Sequence, residues 1–221
     1  MSEFNGFQEG DFGQIAGTTW RGKQNEDSLA RILVERMQRE GSSPDYDSWA
    51  MGRFPALNIA IREYFSYADP WHLAKFNVWL KEDEASFGLW VEKIPPEPGG
   101  PEHWRNLLGH LESRDDMWEI LVKAMQEYHL HLWIGHSDTK WETVGEELGL
   151  LPTLQKRISW SGMVNELKDV PDETWSCMFV ARFIPKAEAI ALSGEVAQLI
   201  GDVFLELELV YLVTAGVFDA V

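Results

Sequence analysis

LAKFNVWLK, residues 73–81, carries the clearest period-two signal in the chain: Ala74, Phe76, Val78 and Leu80 alternate with Lys75, Asn77, Trp79 and Lys81. Successive side chains of a strand point to opposite faces, so this run reads as a strand with one apolar face and one mixed face. The polar segment Glu82-Asp83-Glu84-Ala85-Ser86 follows, and then Phe87, Leu89 and Val91 alternate with Gly88, Trp90 and Glu92. Two such runs joined by a short polar segment predict a β-hairpin. The run Pro95-Pro96-Glu97-Pro98-Gly99-Gly100-Pro101 ends it and is read as a loop rather than a domain boundary.

On the N-terminal side of the hairpin the period changes. Leu29, Ile32, Leu33 and Met37 recur at helical spacing, with Gly41 as a stop, which predicts a helix over about 27–40. Leu57, Ile61, Tyr64 and Phe65 predict a second helix, opening after Pro55 and closing before Pro70. Residues 1–24, rich in Gly, Asn, Gln and Glu with isolated Phe4, Phe7 and Phe12, show neither period and are expected to form a flexible arm.

On the C-terminal side, helices are expected at about 102–112 and 115–127, a strand at 129–134, a helix at 139–149 and a strand at 155–160. Met163, Leu167 and Val170 suggest a short helix, and Trp175–Ile184, apolar on both faces, a central strand. Ser193 is placed as the N-cap of a last amphipathic helix whose stripe is Val196, Leu199, Ile200, Val203, Phe204 and Leu207. Val210–Phe218 is compatible with further helical turns or with an added strand. Helices first, then a hairpin, then helices alternating with strands predict an α+β fold. The expected architecture is a mixed β-sheet with a β-hairpin, helices on at least one face, and a single domain over 25–221.

Composition narrows the function classes. The 221 residues hold 36 acidic and 19 basic side chains, a formal charge of −17. Counterion release on nucleic acid needs clustered Lys and Arg, and here the basic residues are scattered beside carboxylates, as in Lys81-Glu82-Asp83-Glu84 and Glu92-Lys93. Nucleic acid is therefore a poor partner and a basic surface a good one. A single cysteine, Cys177, excludes an intramolecular disulfide and fits a reducing compartment. No run approaches the roughly 20 apolar residues that span a bilayer. The N-terminus resembles no secretory or transit signal, and a cytoplasmic protein is expected.

Several constellations could carry chemistry. His129 and His131, two apart on a predicted strand, share a face, with His136 and Asp138 just beyond. Three imidazoles and a carboxylate would be competent for zinc, and a small metal-dependent hydrolase on this cluster is the enzymatic alternative. The simpler reading is that Leu130, Leu132 and Ile134 fill the core while His129, His131 and Trp133 occupy the opposite face of the strand with no ligand, no metal and no cofactor, and that helices cover this face with its indoles as inner-layer packing. Cys177 falls between Trp175 and Phe179 on an apolar strand face and reads as a core thiol rather than a nucleophile. Asp83 with Glu92-Lys93 resembles a nuclease hairpin loosely, but adjacent residues of a strand cannot share a face. No G-x-S-x-G turn or phosphate-binding loop is present.

Eleven tryptophans are the least ordinary feature of the composition. Trp79, Trp90 and Trp133 fall on the more polar side of predicted strands, with Asn77, Glu92, Lys75, His129 and His131. Tryptophan among charged neighbours is a common composition for a binding hot spot. The expected function is thus a non-enzymatic protein-binding module, of inhibitor, immunity-type or regulatory kind, that recognises a basic partner through an acidic face bearing Trp79, Trp90, Trp133, Asn77 and Glu92.

Overall fold

The structure, a computed structural model, describes residues 4–13, 23–42, 49–52, 57–61, 74–93, 103–113, 115–137, 168 and 175–217. The elements are α1 (Lys23–Glu40), β1 (Trp49–Gly52), β2 (Leu57–Ile61), β3 (Lys75–Leu80), β4 (Glu84–Lys93), α2 (His103–Ser113), α3 (Asp115–Glu127), β5 (His131–Ser137), β6 (Trp175–Pro185), α4 (Lys186–Ala191) and α5 (Glu195–Thr214). The strands form one sheet in the order β1-β2-β3-β4-β6-β5. The fold is α+β, with the expected hairpin and the expected helices at 27–40, 102–112 and 115–127. The registered pairs β1–β2, β2–β3 and β5–β6 all run antiparallel, so the sheet is antiparallel there rather than mixed.

The residues group into two compact units, one of Met1–Pro70, Lys75–Gly88 and Arg182–Glu208, the other of Trp71–Ala74, Leu89–Ala181 and Leu209–Val221. In the first, Leu29, Leu33 and Met37 of α1, Leu57 and Ile59 of β2, and Phe76 and Val78 of β3 are buried together with Val203, Phe204 and Leu207 of α5. Phe76 stacks on Phe204 with ring centroids 4.6 Å apart and lies 6.0 Å from the Trp49 ring. Arg36 ties α1 to α5: its guanidinium donates to the Gln198 carbonyl at 2.7 Å and pairs with Glu40 and Asp202. Gly201 permits this approach, since a Cβ there would lie 2.7 Å from Arg36 Nη1.

The second helix expected from Leu57, Ile61, Tyr64 and Phe65 is replaced over 57–61 by β2, whose five residues are all buried. A segment buried on both faces loses the alternation that identifies a strand, and four-residue spacing of Leu57 and Ile61 then mimics a helix. Tyr64 and Phe65 lie outside the described residues, as do the elements expected at 139–149 and 155–160 and, apart from the helical residue 168, the helix suggested by Met163, Leu167 and Val170.

The N-terminal segment also differs from the flexible arm expected of it. Phe4, Phe7 and Phe12 are buried and form a chain of edge-to-face rings, with centroids 5.6 and 6.0 Å apart. Asn25 Nδ2 donates to the Gly6 carbonyl at 3.1 Å and Ser193 Oγ to the Asn5 carbonyl at 3.0 Å. Lys186 pairs with Glu9 at 2.5 Å and sits over the Phe12 ring. Each phenylalanine docks singly, so burial here needs no period. Gly6 has φ +98°, and a Cβ there would run into the Ser193 backbone.

Ser193 itself is not a helix cap: its φ is +50°, its hydroxyl serves Asn5, and the unanticipated helix α4 occupies the residues just before it. Beyond Val210 the chain stays helical to Thr214. Val210–Ala215 are all buried, as expected of a helix apolar around most of its circumference that lies inside a fold. Glu195, Asp202, Glu206 and Glu208 punctuate it, and no helix among the described residues is long and apolar enough to cross a membrane.

In the second unit, Leu107 of α2, Met117, Leu121, Ala124 and Met125 of α3, Leu132 of β5 and Met178 and Val180 of β6 are buried. His103 opens α2 and is buried, and its Nδ1 accepts the Ala74 N–H at 2.9 Å. Asn106 Nδ2 donates to the Thr214 carbonyl at 3.3 Å.

Candidate binding face

Phe76 turns toward α5, so the odd-numbered residues of β3 form the opposite face. In the first unit that face carries Lys75, Asn77 and Trp79. The register sets Asn58 of β2 opposite Asn77, and Asn77 Nδ2 donates to Asn58 Oδ1 at 3.0 Å. Lys75, Asn77 and Asn58 are buried, whereas Trp79 is half-buried. The Lys81 ammonium lies 5.9 Å from the Trp79 ring centroid and 5.7 Å from that of Phe183, and is paired with Glu84 at 2.8 Å. Trp79 is thus held in a cation–π contact whose positive charge is itself compensated.

In the second unit Trp133 of β5 stands opposite Phe179 of β6, and His131 opposite Ala181. Trp90 of β4 joins them: its ring lies 5.2 Å from Phe179 and 6.3 Å from Trp133, tilted by 57° and 32°. Trp90 and Trp133 are half-buried, and Phe179 beneath them is buried. Trp90 Nε1 is enclosed without a hydrogen-bond partner. Glu92, two residues along the same face of β4, is 6 % exposed and so is withdrawn from any incoming surface.

The three tryptophans singled out from sequence therefore share one feature, partial exposure on strands, while the two polar residues grouped with them, Asn77 and Glu92, are interior. Two local aromatic sets result: Trp79 with Phe183 and Lys81, and Trp90 with Trp133 and Phe179. Neither phenylalanine stood out in the sequence, because β6 reads as apolar on both sides. Their pairing partners were the missing information.

The histidine cluster is placed differently from expectation. His129 lies in a turn with φ +53° and is exposed, so it does not share a strand face with His131, which opens β5. The turn follows from the end of α3, where the Leu130 N–H closes on the Met125 carbonyl at 2.9 Å. His136 stands opposite Ser176 in the β5–β6 register, and Asp138 lies outside the described residues. Among the described residues no group of three or more His, Cys, Asp and Glu side chains could hold a metal ion. Cys177 is a fully buried thiol, Asp83 is an exposed turn residue, and Glu92 and Lys93 are both buried.

His103 and Asp11 are among the interior titratable groups that escaped the sequence reading. Burial pushes the His103 imidazole down to about 4, so it is neutral at physiological pH. Burial raises the Asp11 carboxyl, against hydrogen bonds from the Gln8 backbone and Asn25 that favour its charged form. The position of His103 at a helix start after Pro101 was the available signal for the first; nothing in the pattern marks the second.

Compared with known proteins, the chain matches no family model, and no curated protein matches its sequence significantly.

Proposed function

We propose that the protein is a non-enzymatic binding module that recognises a basic protein partner, with the half-buried tryptophans as anchors. The observation that carries this reading is the Trp90–Trp133–Phe179 set, in which two large indoles remain partly exposed over a buried phenylalanine. Rigid aromatic groups of this kind supply contact area at low conformational cost and dominate the energetics of interfaces. Trp79, partly exposed beside Lys81, is a second anchor of the same type. The −17 charge supplies long-range attraction to a cationic surface, which accelerates encounter and is weakened by salt.

The test compares wild type with Trp133→Ala and Trp90→Ala by affinity capture from native lysate at low and moderate salt, with captured proteins identified by mass spectrometry. Each truncation is expected to reduce binding of a basic partner by about 2 kcal/mol, a factor of roughly 30. Chemical denaturation of the same variants separates anchors from core, since an indole that serves as core costs about 3–5 kcal/mol of folding stability. Well-folded variants that capture the same proteins at undiminished yield would sink the proposal.

A further inference from the structure

We infer that Trp79, Phe183 and Glu84 form a site for a lysine side chain of a basic partner, and that Lys81 occupies this site in the free protein and is displaced on binding. Use of the site by a basic protein rests on the function proposed above, whereas the site itself belongs to the first unit and does not involve Trp90 or Trp133. The Lys81 ammonium lies 5.9 Å from the Trp79 ring centroid and 5.7 Å from that of Phe183, and it donates to Glu84 Oε1 at 2.8 Å. Aromatic faces attract a cation through their quadrupole, and a carboxylate takes its N–H groups in charge-assisted hydrogen bonds. The groups that recognise a lysine head are therefore assembled, with the chain's own lysine between them.

Exchange at this site is inexpensive. The Lys81 and Glu84 side chains are 41 % and 36 % exposed, and an ion pair so open to water contributes little to stability. Trp79 and Phe183 are half-buried, so both rings can be reached from solvent. The main chain need not move: the Lys81 N–H donates to the Glu84 carbonyl at 2.9 Å and the Gly13 N–H donates to the Lys81 carbonyl at 3.3 Å, while the flexible Lys81 stem can carry its head into water. An incoming ammonium takes the volume that the Lys81 head vacates, so no further cavity is required. Glu82 and Asp83 are exposed in the same turn, giving three acids against one base over residues 81–84, which favours approach of a cation and keeps the displaced Lys81 near compensating charge. An anionic or uncharged group in the same place would leave Glu84 without its ammonium. Two ammonium groups repel and cannot share one carboxylate and one pair of rings, so Lys81 competes with the partner and holds down affinity for basic surfaces in general.

The test is calorimetric titration at low salt with a short peptide of alternating glycine and lysine and with its fully acetylated, uncharged counterpart. The proteins are wild type, Lys81→Ala, Lys123→Ala and the double variant Lys81→Ala with Trp79→Leu. Lys81→Ala empties the site and keeps its backbone hydrogen bonds, and Lys123→Ala removes the same charge from an exposed position of α3. The lysine peptide is expected to bind Lys81→Ala about fivefold more tightly than wild type. Lys123→Ala is expected to stay within about twofold of wild type, because exposed charges are screened by solvent and salt. The gain is expected to vanish in the double variant and with the acetylated peptide. If chemical denaturation shows that Trp79→Leu does not fold, Phe183→Leu takes its place. Equal tightening by Lys81→Ala and Lys123→Ala, a gain that survives loss of the ring, or no gain at all would each overturn the inference. Trp133→Ala, measured alongside by capture from lysate, reports on the proposed function separately. Lost capture in Trp133→Ala with no gain in Lys81→Ala would sink the lysine site alone, and a fivefold gain in Lys81→Ala with capture by Trp133→Ala unchanged would support the lysine site and sink the anchors of the second unit.

Discussion

Acidification acts on this fold through His103. The imidazole is 2 % exposed, accepts the Ala74 N–H through Nδ1 and titrates near 4 instead of its ordinary 6.5, because burial disfavours its charged form. The unfolded chain therefore binds a proton between those two values that the folded chain refuses. Stability from this group is complete above pH 6.5 and is lost progressively as the pH falls toward 4. At 1.36 kcal/mol per pH unit the full gap corresponds to roughly 3 kcal/mol, a large share of the 5–15 kcal/mol that holds a typical domain together. Asp11 acts in the opposite sense: its raised carboxyl favours the folded state at low pH and loses that contribution as the pH rises above its ordinary 3.8. His103→Asn isolates the histidine, since an Asn side-chain oxygen can accept the Ala74 N–H but cannot take up a proton. Urea unfolding of both proteins at about pH 7.5 and about pH 4.5 is expected to show wild type losing about 2–3 kcal/mol more than the variant. Equal losses in the two would refute the argument, as would an imidazole resonance that titrates above pH 6 in the folded protein.

Other perturbations have definite expected outcomes. Phe7→Ala, at the centre of the N-terminal aromatic chain, is expected to cost about 3 kcal/mol by chemical denaturation, and a loss below about 1 kcal/mol would restore the flexible arm. Gly6→Ala combines a left-handed backbone with a collision against Ser193 and is expected to lower stability by about 2 kcal/mol or more; a neutral effect would mean that the segment docks differently. Phe204→Ala removes the ring stacked on Phe76 and is expected to cost about 3–5 kcal/mol, with near-wild-type unfolding as the contrary result.

The candidate face was partly legible before any coordinates. Period two in residues 73–81 and 87–92 identified the hairpin and the side on which Trp79 and Trp90 stand, because the pleat converts parity directly into face. Parity does not report depth. Asn77 and Glu92 have the same parity as the tryptophans, yet both are buried; Phe179 joins Trp133 only through strand pairing, and Phe183 joins Trp79 only through the Lys81 ammonium that lies over both rings. His129 stands apart from His131 for a local reason: α3 ends at Glu127, the chain turns through Tyr128 and His129, and His129 takes a left-handed backbone before β5 opens at His131.

What the sequence by itself determined are the features that follow from short-range geometry and composition: an α+β class, the hairpin, α1 to α3, the long β6 strand and a formal charge of −17, since period, caps and charge are read from the residues themselves. What only the tertiary structure decided are the features that depend on partners distant in the chain. Leu57–Ile61 is a strand because β1 and β3 take up its backbone hydrogen bonds on both sides. Phe4, Phe7 and Phe12 are core because α4 and the turn after it offer Lys186 and Ser193 to the segment that carries them. Burial of an isolated side chain and satisfaction of a backbone edge are supplied by remote residues, and no local pattern encodes them.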